Sequence, residues 1–386
     1  MPSAHVPARR TLLVKARGVM AKDRIISPRS QHQDESSIAA SLRPRRLEEF
    51  VGQRSLRERL SIALQAVRGR GDPMEHVLLH GPPGLGKTTL AHVIAEEMGT
   101  RAYVTSGPAL TKGGDLVGTL TKMQANDVLF IDEIHRLPPA VEEYIYPAME
   151  DFRIDFTLDS GLHAKVITYH LKPFTLIGAT TRAGLLSAAL RSRFGIMDHL
   201  RFYQPEELLE ILEAAAGRLG MDEIDRRTLM SIASRSRGTP RITLRLLRRV
   251  RDFAQVRCAG RIDEQVVNDA LALEGVDQLG LDELDRSYLR VIGTVYEGGP
   301  VGVEAIAATM GEDSGTLEDV IEPFVLQIGF LARTRQGRRL TAAGAEHLDL
   351  TSSTTGETTD ESSLLFGRPG PADGDETHSA SERASG

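Results

Sequence analysis

The sequence has no tryptophan and a single cysteine, Cys258, among its 386 residues. One cysteine excludes an internal disulfide framework and any zinc module built from several cysteines. No apolar run approaches the roughly 18 residues that a membrane-spanning helix needs. The first 30 residues offer only residues 12–14 as an apolar segment, which is too short for a signal-peptide core. We therefore expect a soluble, cytoplasmic protein.

Both ends of the chain are poor in apolar residues. Residues 1–38 are basic and polar, whereas residues 351–386 are rich in Ser, Thr and Gly and carry seven acids against two bases. Such segments bury too little apolar surface to offset the entropy of ordering, so both are predicted to be disordered. The formal net charge of −6 argues weakly against nucleic-acid binding, but the acidic tail supplies most of it, and a local basic patch is compatible with that total.

Between these ends, apolar runs alternate with helical stretches, which predicts an α/β domain with a parallel sheet. The predicted strands lie at residues 77–79, 103–104, 128–131, 174–177 and 200–203. The pattern after Pro205 is helical, and a break at 275–280 separates a last segment. We expect a large α/β domain at 39–203, a small helical lid domain at 204–275 and a third domain at 278–348.

The most specific motif is the octapeptide GPPGLGKT at 81–88, which fits the phosphate-binding pattern GxxxxGK[ST]. It follows a predicted strand and opens an amphipathic helix, so backbone amides and the helix dipole would surround phosphate groups. Lys87 would reach the β- and γ-phosphates of ATP, and the Thr88 hydroxyl would bind Mg²⁺. The motif therefore predicts a nucleotide site.

Two acids, Asp132 and Glu133, end the apolar run at 128–131. Ligands collect at the carboxyl ends of parallel strands. Asp132 would hold Mg²⁺ there, and Glu133 would polarise the attacking water. Taken without the phosphate loop, an ordinary solvated strand end is the alternative.

Three further polar positions follow along the chain. The predicted strand within 175–182 ends in Thr180 and Thr181, which either contact the γ-phosphate or its attacking water, or cap the next helix. Arg193 precedes another strand, where a guanidinium would suit transition-state phosphate charge, although a solvated surface charge is the commoner role. Arg241 begins the helix predicted at 242–253.

In this order, the motifs resemble those of AAA+ ATPases: phosphate loop, acidic strand end, polar sensor strand, arginine finger, and sensor arginine on a helical lid. Longer strings resemble the RuvB family of bacterial Holliday-junction branch-migration motors; they include DEIHRL at 132–137, YPAMED at 146–151, IGATTRAG at 177–184 and RRVRDFA at 248–254. The similarity runs from about residue 23 to residue 348. Thr181 stands where asparagine is usual in AAA+ proteins, which leaves open whether Thr180 or Thr181 is the sensor.

The resemblance implies roles for individual residues and partners. The implied ATP contacts are Leu42, Arg43 and Tyr203 at the adenine end, Gly84, Lys87, Thr88 and Thr89 at the phosphates and Mg²⁺, Glu150, Asp151 and Phe152 at the nucleotide edge, Arg193 as a finger in the neighbouring subunit's site, and Arg241 as a sensor in its own. It also implies a hexameric ring that acts with RuvA and RuvC, hydrolyses ATP, and moves the double-stranded DNA of Holliday junctions during recombination and repair.

A segment between the acidic strand end and the sensor strand alternates apolar and polar residues around a turn at 159–161. This alternation predicts a β-hairpin at about 153–171. Its apolar side chains, including Ile154 and Ile167, either pack on the sheet or, as the resemblance implies, dock RuvA.

The last folded segment, about 282–348, has the order helix, short helix, helix and hairpin, which predicts a winged helix. Its turn at 333–339 is basic. The resemblance implies that this domain grips DNA, so we assign Arg333 and Arg338 to DNA phosphates, which give sequence-independent affinity. A solvated basic turn is the alternative.

Two other functions share parts of this pattern. A clamp-loader subunit has the same ATPase core, but that class often carries a four-cysteine zinc insert and is not expected to end in a winged helix. A DNA-binding regulator that binds ATP without hydrolysing it is disfavoured, because Lys87, Asp132, Glu133 and Arg193 are all present.

Overall fold

The computed structural model describes residues 42–157, 166–221 and 223–350. Both predicted disordered ends and the predicted hairpin turn at 159–161 lie outside these ranges. Along the described chain, a domain built on a parallel sheet is followed by a group of helices and then by a smaller unit of helices and a hairpin. No helix in these ranges is long and apolar enough to cross a bilayer.

The elements of the first domain are α1 (Arg54–Arg70), β1 (Val77–His80), α2 (Lys87–Met98), β2 (Ala102–Ser106), α3 (Gly113–Leu120), β3 (Val128–Asp132), α4 (Pro139–Glu150), β4 (Arg153–Thr157), β5 (Val166–His170), β6 (Thr175–Thr180), α5 (Ala188–Arg191) and β7 (Ile196–His199). Five of the strands form a parallel sheet in the order β2-β3-β6-β1-β7, and β4 and β5 form a separate hairpin. The register aligns His80 with Thr180 and His199, so the carboxyl ends of these strands share one edge.

The sheet is buried on both faces, as parallel sheets are. Alternate residues along each strand belong to different hydrophobic clusters: Val77 and Phe130 face one cluster, and Leu78 and Leu129 face the other. The continuous apolar runs in the sequence are therefore the signature of strands covered by helices on both sides.

The fifth strand differs from the prediction. It spans Ile196–His199, whereas an apolar run had pointed to residues 200–203. β7 is an edge strand whose side chains are only partly buried, so Asp198 and His199 are tolerated in it. Leu200 and Tyr203, which produced the apolar signal, are buried in the connection after the strand.

The second group comprises four helices that pack on one another: α6 (Pro205–Arg218), α7 (Arg226–Ser234), α8 (Pro240–Arg257) and α9 (Glu264–Leu273). Leu212, Ile232 and Leu247 are fully or almost fully buried and continue the cluster that covers one face of the sheet. The shared core places the start of α8 against the phosphate loop.

The third unit has its own core, which includes Tyr288, Ile306 and Val325. Its elements are α10 (Glu283–Arg290), α11 (Val303–Met310), α12 (Ser314–Thr316), α13 (Glu322–Gln327), β8 (Leu331–Thr334), β9 (Gly337–Leu340) and α14 (Ala342–His347), with π-helical turns at Val291–Val295 and Leu317–Ile321. The antiparallel β8–β9 pair forms the wing of a winged helix, as predicted.

The predicted hairpin is present as antiparallel strands β4 and β5. Ile154 is fully buried and belongs to the hydrophobic cluster beneath the sheet, so it is a core residue rather than a surface for a partner. Ile167 and Tyr169 on β5 are 42% and 45% exposed. Of the two isoleucines predicted to face a partner, only Ile167 is available to one.

Candidate functional site

The phosphate loop connects β1 to α2 and depends on glycine. Gly84 and Gly86 have φ values of 81° and 99°, which L-residues with a Cβ rarely adopt. A Cβ on Gly84 would also lie 2.7 Å from Thr239 Cγ2 and 3.1 Å from Arg241 Cβ. Glycine at position 84 thus allows both the turn of the loop and the close approach of the lid helices.

Lys87 begins α2 and is almost completely buried. Its Nζ donates hydrogen bonds to the carbonyl oxygens of Gly81 at 2.7 Å and Pro82 at 2.8 Å. Burial lowers the pKa of Lys87 to about 8, although Asp132 and Glu133 favour its charged form. The loop thereby holds the Lys87 ammonium group at the N-terminal end of α2, where burial makes the group easier to deprotonate.

One cavity brings together most residues predicted to contact the phosphates. Its lining includes Arg43, Gly84, Gly86, Lys87, Thr88, Thr89, Asp132, Glu133, Arg241 and Arg248. The backbone N–H of Arg241 donates to the carbonyl of Gly84 at 3.3 Å, so the lid is joined directly to the loop. The Thr88 hydroxyl and the Asp132 carboxylate are oxygen donors of the kind that Mg²⁺ binds, and both line this cavity.

A second, largely apolar cavity adjoins the first. The second is lined by Leu42, Phe50, Tyr203 and Ile211, among others. The residues that line both cavities are Arg43, Gly86, Thr89, Pro240 and Leu244. The Tyr203 hydroxyl donates to the carbonyl of Leu85 at 3.1 Å, and burial raises the pKa of Tyr203 above its usual value. An apolar cavity beside a phosphate pocket suits a planar base, and the predicted adenine contacts lie there.

Glu133 lies at the carboxyl end of β3 in a left-handed backbone conformation, with φ of 47°. Its Oε2 accepts a long hydrogen bond from Thr181 Oγ1 at 3.4 Å and lies 3.2 Å from His135 Nδ1. The same imidazole nitrogen is 2.8 Å from Thr180 Oγ1. Thr181 therefore contacts the Glu133 carboxylate directly, whereas the buried Thr180 contacts it through His135.

His135 is a site residue that the sequence reasoning did not single out. Burial lowers the pKa of His135, which favours the neutral imidazole. Its position two residues after Glu133, in the short helical turn Ile134–Arg136, is the signal that could have identified it.

Arg193 lies outside the phosphate cavity of its own chain. It pairs with Glu150 at 3.1 Å, and its guanidinium carbon lies 4.3 Å from the centre of the Tyr146 ring. Asp151 pairs with Arg153, and Phe152 packs edge-on against His76 and Phe174. Among the described residues, Glu150, Asp151, Phe152 and Arg193 are absent from the lining of both cavities, so their predicted role in a nucleotide site remains a prediction.

The two wing arginines that were assigned to DNA are paired with acids. Arg338 donates to Glu322 at 2.9 Å and to Glu318 at 2.8 Å, and its side chain is only 15% exposed. Arg333 donates to the fully buried Glu322 at 2.7 Å and is half-exposed. In this arrangement Arg338 braces the wing against α13, which does not favour a phosphate contact.

Two other arginines of the wing are better placed for a polyanion. Arg335 and Arg339 are exposed. Neither forms an ion pair within the part of the chain that the structure describes. The sequence offered four arginines in this turn, and only the fold distinguishes the paired ones from the free ones.

These features define a class of protein. The chain combines a parallel sheet that carries a phosphate loop and an acidic strand end, a helical lid that places Arg241 in the phosphate cavity, and a winged helix. This combination defines an AAA+ P-loop ATPase with a winged-helix domain of the DNA-binding type.

The comparison with known proteins narrows this class. Residues 42–200 match the family model of the Holliday junction DNA helicase RuvB P-loop domain, residues 203–277 that of the RuvB AAA lid domain, and residues 278–349 that of the RuvB C-terminal winged helix domain. The chain belongs to the RuvB family, and the resemblance read from its motifs is confirmed.

Individual relatives support this assignment. The Holliday junction branch migration complex subunit RuvB of Desulfosudis oleivorans is 55% identical over 325 residues, which cover 83% of this chain and 94% of that protein. The solved structure of the Thermotoga maritima RuvB Holliday junction branch migration motor is 51% identical, covers 80% of this chain and 98% of its own, and has a TM-score of 0.73. A mutant of the same Thermotoga protein matches with a TM-score of 0.74.

Proposed function

We propose that this protein is an ATP-driven motor that moves double-stranded DNA through Holliday junctions and so drives branch migration in recombination and repair. The observation that carries this proposal is a cavity in which Lys87, Asp132, Glu133 and Arg241 converge, in a chain that ends in a winged helix with exposed arginines. The names of the relatives from Desulfosudis and Thermotoga favour the same activity.

The proposed reaction is in-line attack of water on the γ-phosphate of ATP. Glu133 orients and polarises the water, held by Thr181 and His135. Lys87 and Arg241 stabilise the charge that develops on the phosphates. Thr88 and Asp132 would hold Mg²⁺, which neutralises phosphate charge when bound.

Arg193 supports a site shared between subunits. A guanidinium stabilises the transition state of phosphoryl transfer only when it reaches the γ-phosphate. Arg193 lies outside the cavity of its own chain and is held by Glu150 and Tyr146 at the surface. We therefore propose that it completes the site of a neighbouring subunit, with Glu150, Asp151 and Phe152 at the edge of that site, and that the subunits close into a hexameric ring.

The DNA contacts are proposed for the wing. Arg335 and Arg339 are exposed, and Arg333 is half-exposed. Phosphate contacts from arginines give affinity that is independent of sequence and falls with salt, which suits a motor that moves along any sequence. Arg338 retains a proposed role only as the brace that positions this turn.

Partner proteins are proposed for the hairpin. Ile167 and Tyr169, two positions apart on β5, both present exposed apolar surface. Neighbouring exposed apolar side chains on one strand support a contact with another protein. We assign it to RuvA, with RuvC as a further member of the complex.

The test is ATP hydrolysis and migration of a synthetic Holliday junction, with and without a RuvA partner. We expect DNA to stimulate hydrolysis in the wild type, and Glu133→Gln to lower turnover by about 10²- to 10⁴-fold while ATP still binds. Glu58→Gln, at an exposed carboxylate on α1, is the matched control and should behave as wild type.

Two outcomes would assign a different function. Binding of ATP without DNA-stimulated turnover in the wild type would indicate a regulator. Turnover stimulated by a primed template and clamp, with no junction migration, would indicate a clamp loader.

A further inference from the structure

Two of the contacts between the winged-helix domain and the rest of the chain have opposite character. The first is buried and lies at the start of the lid helix α8. Arg237 donates to the carbonyl of Gly280 at 2.8 Å and forms ion pairs with Asp282 at 2.6 Å and Asp285 at 2.5 Å. Arg237 is 7% exposed and Asp285 is fully buried. Breaking such a cluster would leave buried charges unpaired, so it acts as a fixed joint.

The second contact joins the ATPase sheet to the winged helix. Arg182, just beyond the end of β6, donates to the two carboxylate oxygens of Asp319 at 2.9 and 3.2 Å, and it lies 3.5 Å from Glu318. All three side chains are about one-third exposed, at 33%, 36% and 34% respectively. Ion pairs at this exposure are weak, are screened by salt and exchange readily with water. This contact can therefore open and close while the buried joint stays intact.

The releasable contact is connected to the catalytic carboxylate. The backbone N–H of Arg182 donates to Thr180 Oγ1 at 2.9 Å. Thr180 Oγ1 lies 2.8 Å from His135 Nδ1, and that nitrogen lies 3.2 Å from Glu133 Oε2. A displacement of Glu133 would reach Arg182 through two side chains, without passing through the hydrophobic core.

The contact between Arg182 and the winged helix is also connected to the β8–β9 wing. Glu318 pairs with Arg182 and also accepts a hydrogen bond from Arg338, which braces the wing. Opening the Arg182 contact thus changes the electrostatic partners of the arginine turn proposed to meet DNA. Six residues form a continuous path from the nucleotide site to the proposed DNA surface: Glu133, His135, Thr180, Arg182, Glu318 and Arg338.

We propose that Arg182 is a positioning residue that couples the nucleotide site to the winged-helix domain. Its ion pair with Asp319 forms in one nucleotide state and opens in another, and the winged helix turns about the fixed joint at Arg237. This inference rests on the proposed motor function, in which ATP turnover must displace the DNA-binding domain. Arg182 contacts neither ATP nor DNA in this role.

The test compares Arg182→Gln, Asp319→Asn and the double variant. We expect each single variant to hydrolyse ATP without DNA at nearly the wild-type rate but to migrate a junction about fivefold less for each ATP consumed. Because the two residues act as one pair, the double variant should be no worse than either single variant. Arg226→Gln, which removes a comparable exposed pair with Glu213 on the lid, is the matched control and should leave the ratio unchanged.

A second measurement follows the domain itself. In a Cys258→Ser background, dyes attached through Lys122→Cys and Glu346→Cys report the distance between the ATPase and winged-helix domains. We expect this distance to differ between ATP and ADP, and the difference to shrink at least twofold with Asp319→Asn.

Several results would overturn the inference. An unchanged migration ratio, an unchanged distance response, or losses that multiply in the double variant would each show that the pair does not couple the two domains. If a variant's loss of migration per ATP is accompanied by a matching fall in its melting temperature, the contact is only structural. If the wild type hydrolyses ATP but moves no junction, the proposed motor function fails, and the distance measurement still decides the role of Arg182.

Discussion

The phosphate cavity and the surface around Arg193 are built in opposite ways. In the cavity, a single chain supplies Lys87, Asp132, Glu133 and Arg241, and the loop carbonyls and the lid hold these groups together. Around Arg193, the guanidinium is held by Glu150 and Tyr146 at a distance from that cavity.

The difference separates the functions that one subunit can perform alone from those that need a second subunit. The cavity gathers within one chain the residues proposed to bind the nucleotide and to orient water. Arg193 is held by Glu150 and Tyr146 and does not line the phosphate cavity of its own chain. The two regions therefore predict different responses to mutation: loss of binding or chemistry in the same subunit for the cavity, and loss of chemistry in a neighbour for Arg193.

The largest predicted effect comes from Arg193→Ala. We expect ATP hydrolysis to fall by about 10³-fold or more, since arginine fingers contribute that much to phosphoryl transfer. Nucleotide affinity should stay near wild type, because Arg193 does not line the cavity. Steady-state hydrolysis and titration of a fluorescent ATP analogue measure the two quantities.

Mixing variants decides which subunit Arg193 serves. Lys87→Ala subunits retain Arg193 but have a defective pocket, and Arg193→Ala subunits have the converse defect. A random mixed ring should recover up to about a quarter of wild-type hydrolysis, because both intact parts meet at that fraction of interfaces. No recovery on mixing, together with lost ATP binding by Arg193→Ala, would place this arginine in its own site.

The cavity was largely predictable from the sequence, because its residues are local. The phosphate loop and the acidic end of β3 each follow an apolar run, and parallel strands bring such ends to one edge. The winged helix was predictable in outline for the same reason. The apolar periodicity of its helices and the turn between β8 and β9 are signals of short range.

Contacts between distant residues were not predictable. Arg182 and Asp319 are 137 positions apart, and periodicity carries no information on that pairing. Glu322 is buried, so it binds Arg333 and Arg338, which looked like free cations in the sequence. The alternation of apolar and polar residues made Ile154 and Ile167 look equivalent in the sequence. Only the tertiary packing of the hairpin determines that Ile154 is buried and Ile167 is exposed.

A predicted effect of intermediate size concerns the β4–β5 hairpin, which carries the proposed partner surface. We expect Ile154→Ala to lower the free energy of unfolding by about 2–5 kcal/mol, because it leaves a cavity in a packed core. Ile167→Ala should change it by less than about 0.5 kcal/mol, as exposed substitutions do. Urea unfolding measures both values.

Binding to RuvA should show the reverse order for the folded proteins. Ile167→Ala is expected to weaken the complex, whereas any Ile154→Ala protein that remains folded should bind nearly as wild type. Comparable loss of unfolding free energy in both variants would mean that Ile167 is covered within its own chain.

The smallest predicted effect is a pH dependence of ATP affinity, which tests how far binding in the cavity depends on the charge of Lys87. Burial lowers the pKa of Lys87 to about 8, and the negative phosphates of ATP favour the protonated ammonium. Affinity for ATP is therefore fully present below pH 8 and is lost as the pH rises through that value. The Kd should rise by about 15-fold from pH 8 to pH 9.5, as expected for one proton coupled to binding with a pKa of about 8.

Lys87→Arg is the matched control, because a guanidinium stays charged throughout this pH range. Its Kd should stay nearly flat from pH 7 to pH 9.5, even if it is weaker overall. Arg193→Ala should keep the wild-type slope, because its cavity and Lys87 are intact. An equal slope in Lys87→Arg would assign the titration to another group, and a flattened slope in Arg193→Ala would mean that the two regions are not independent.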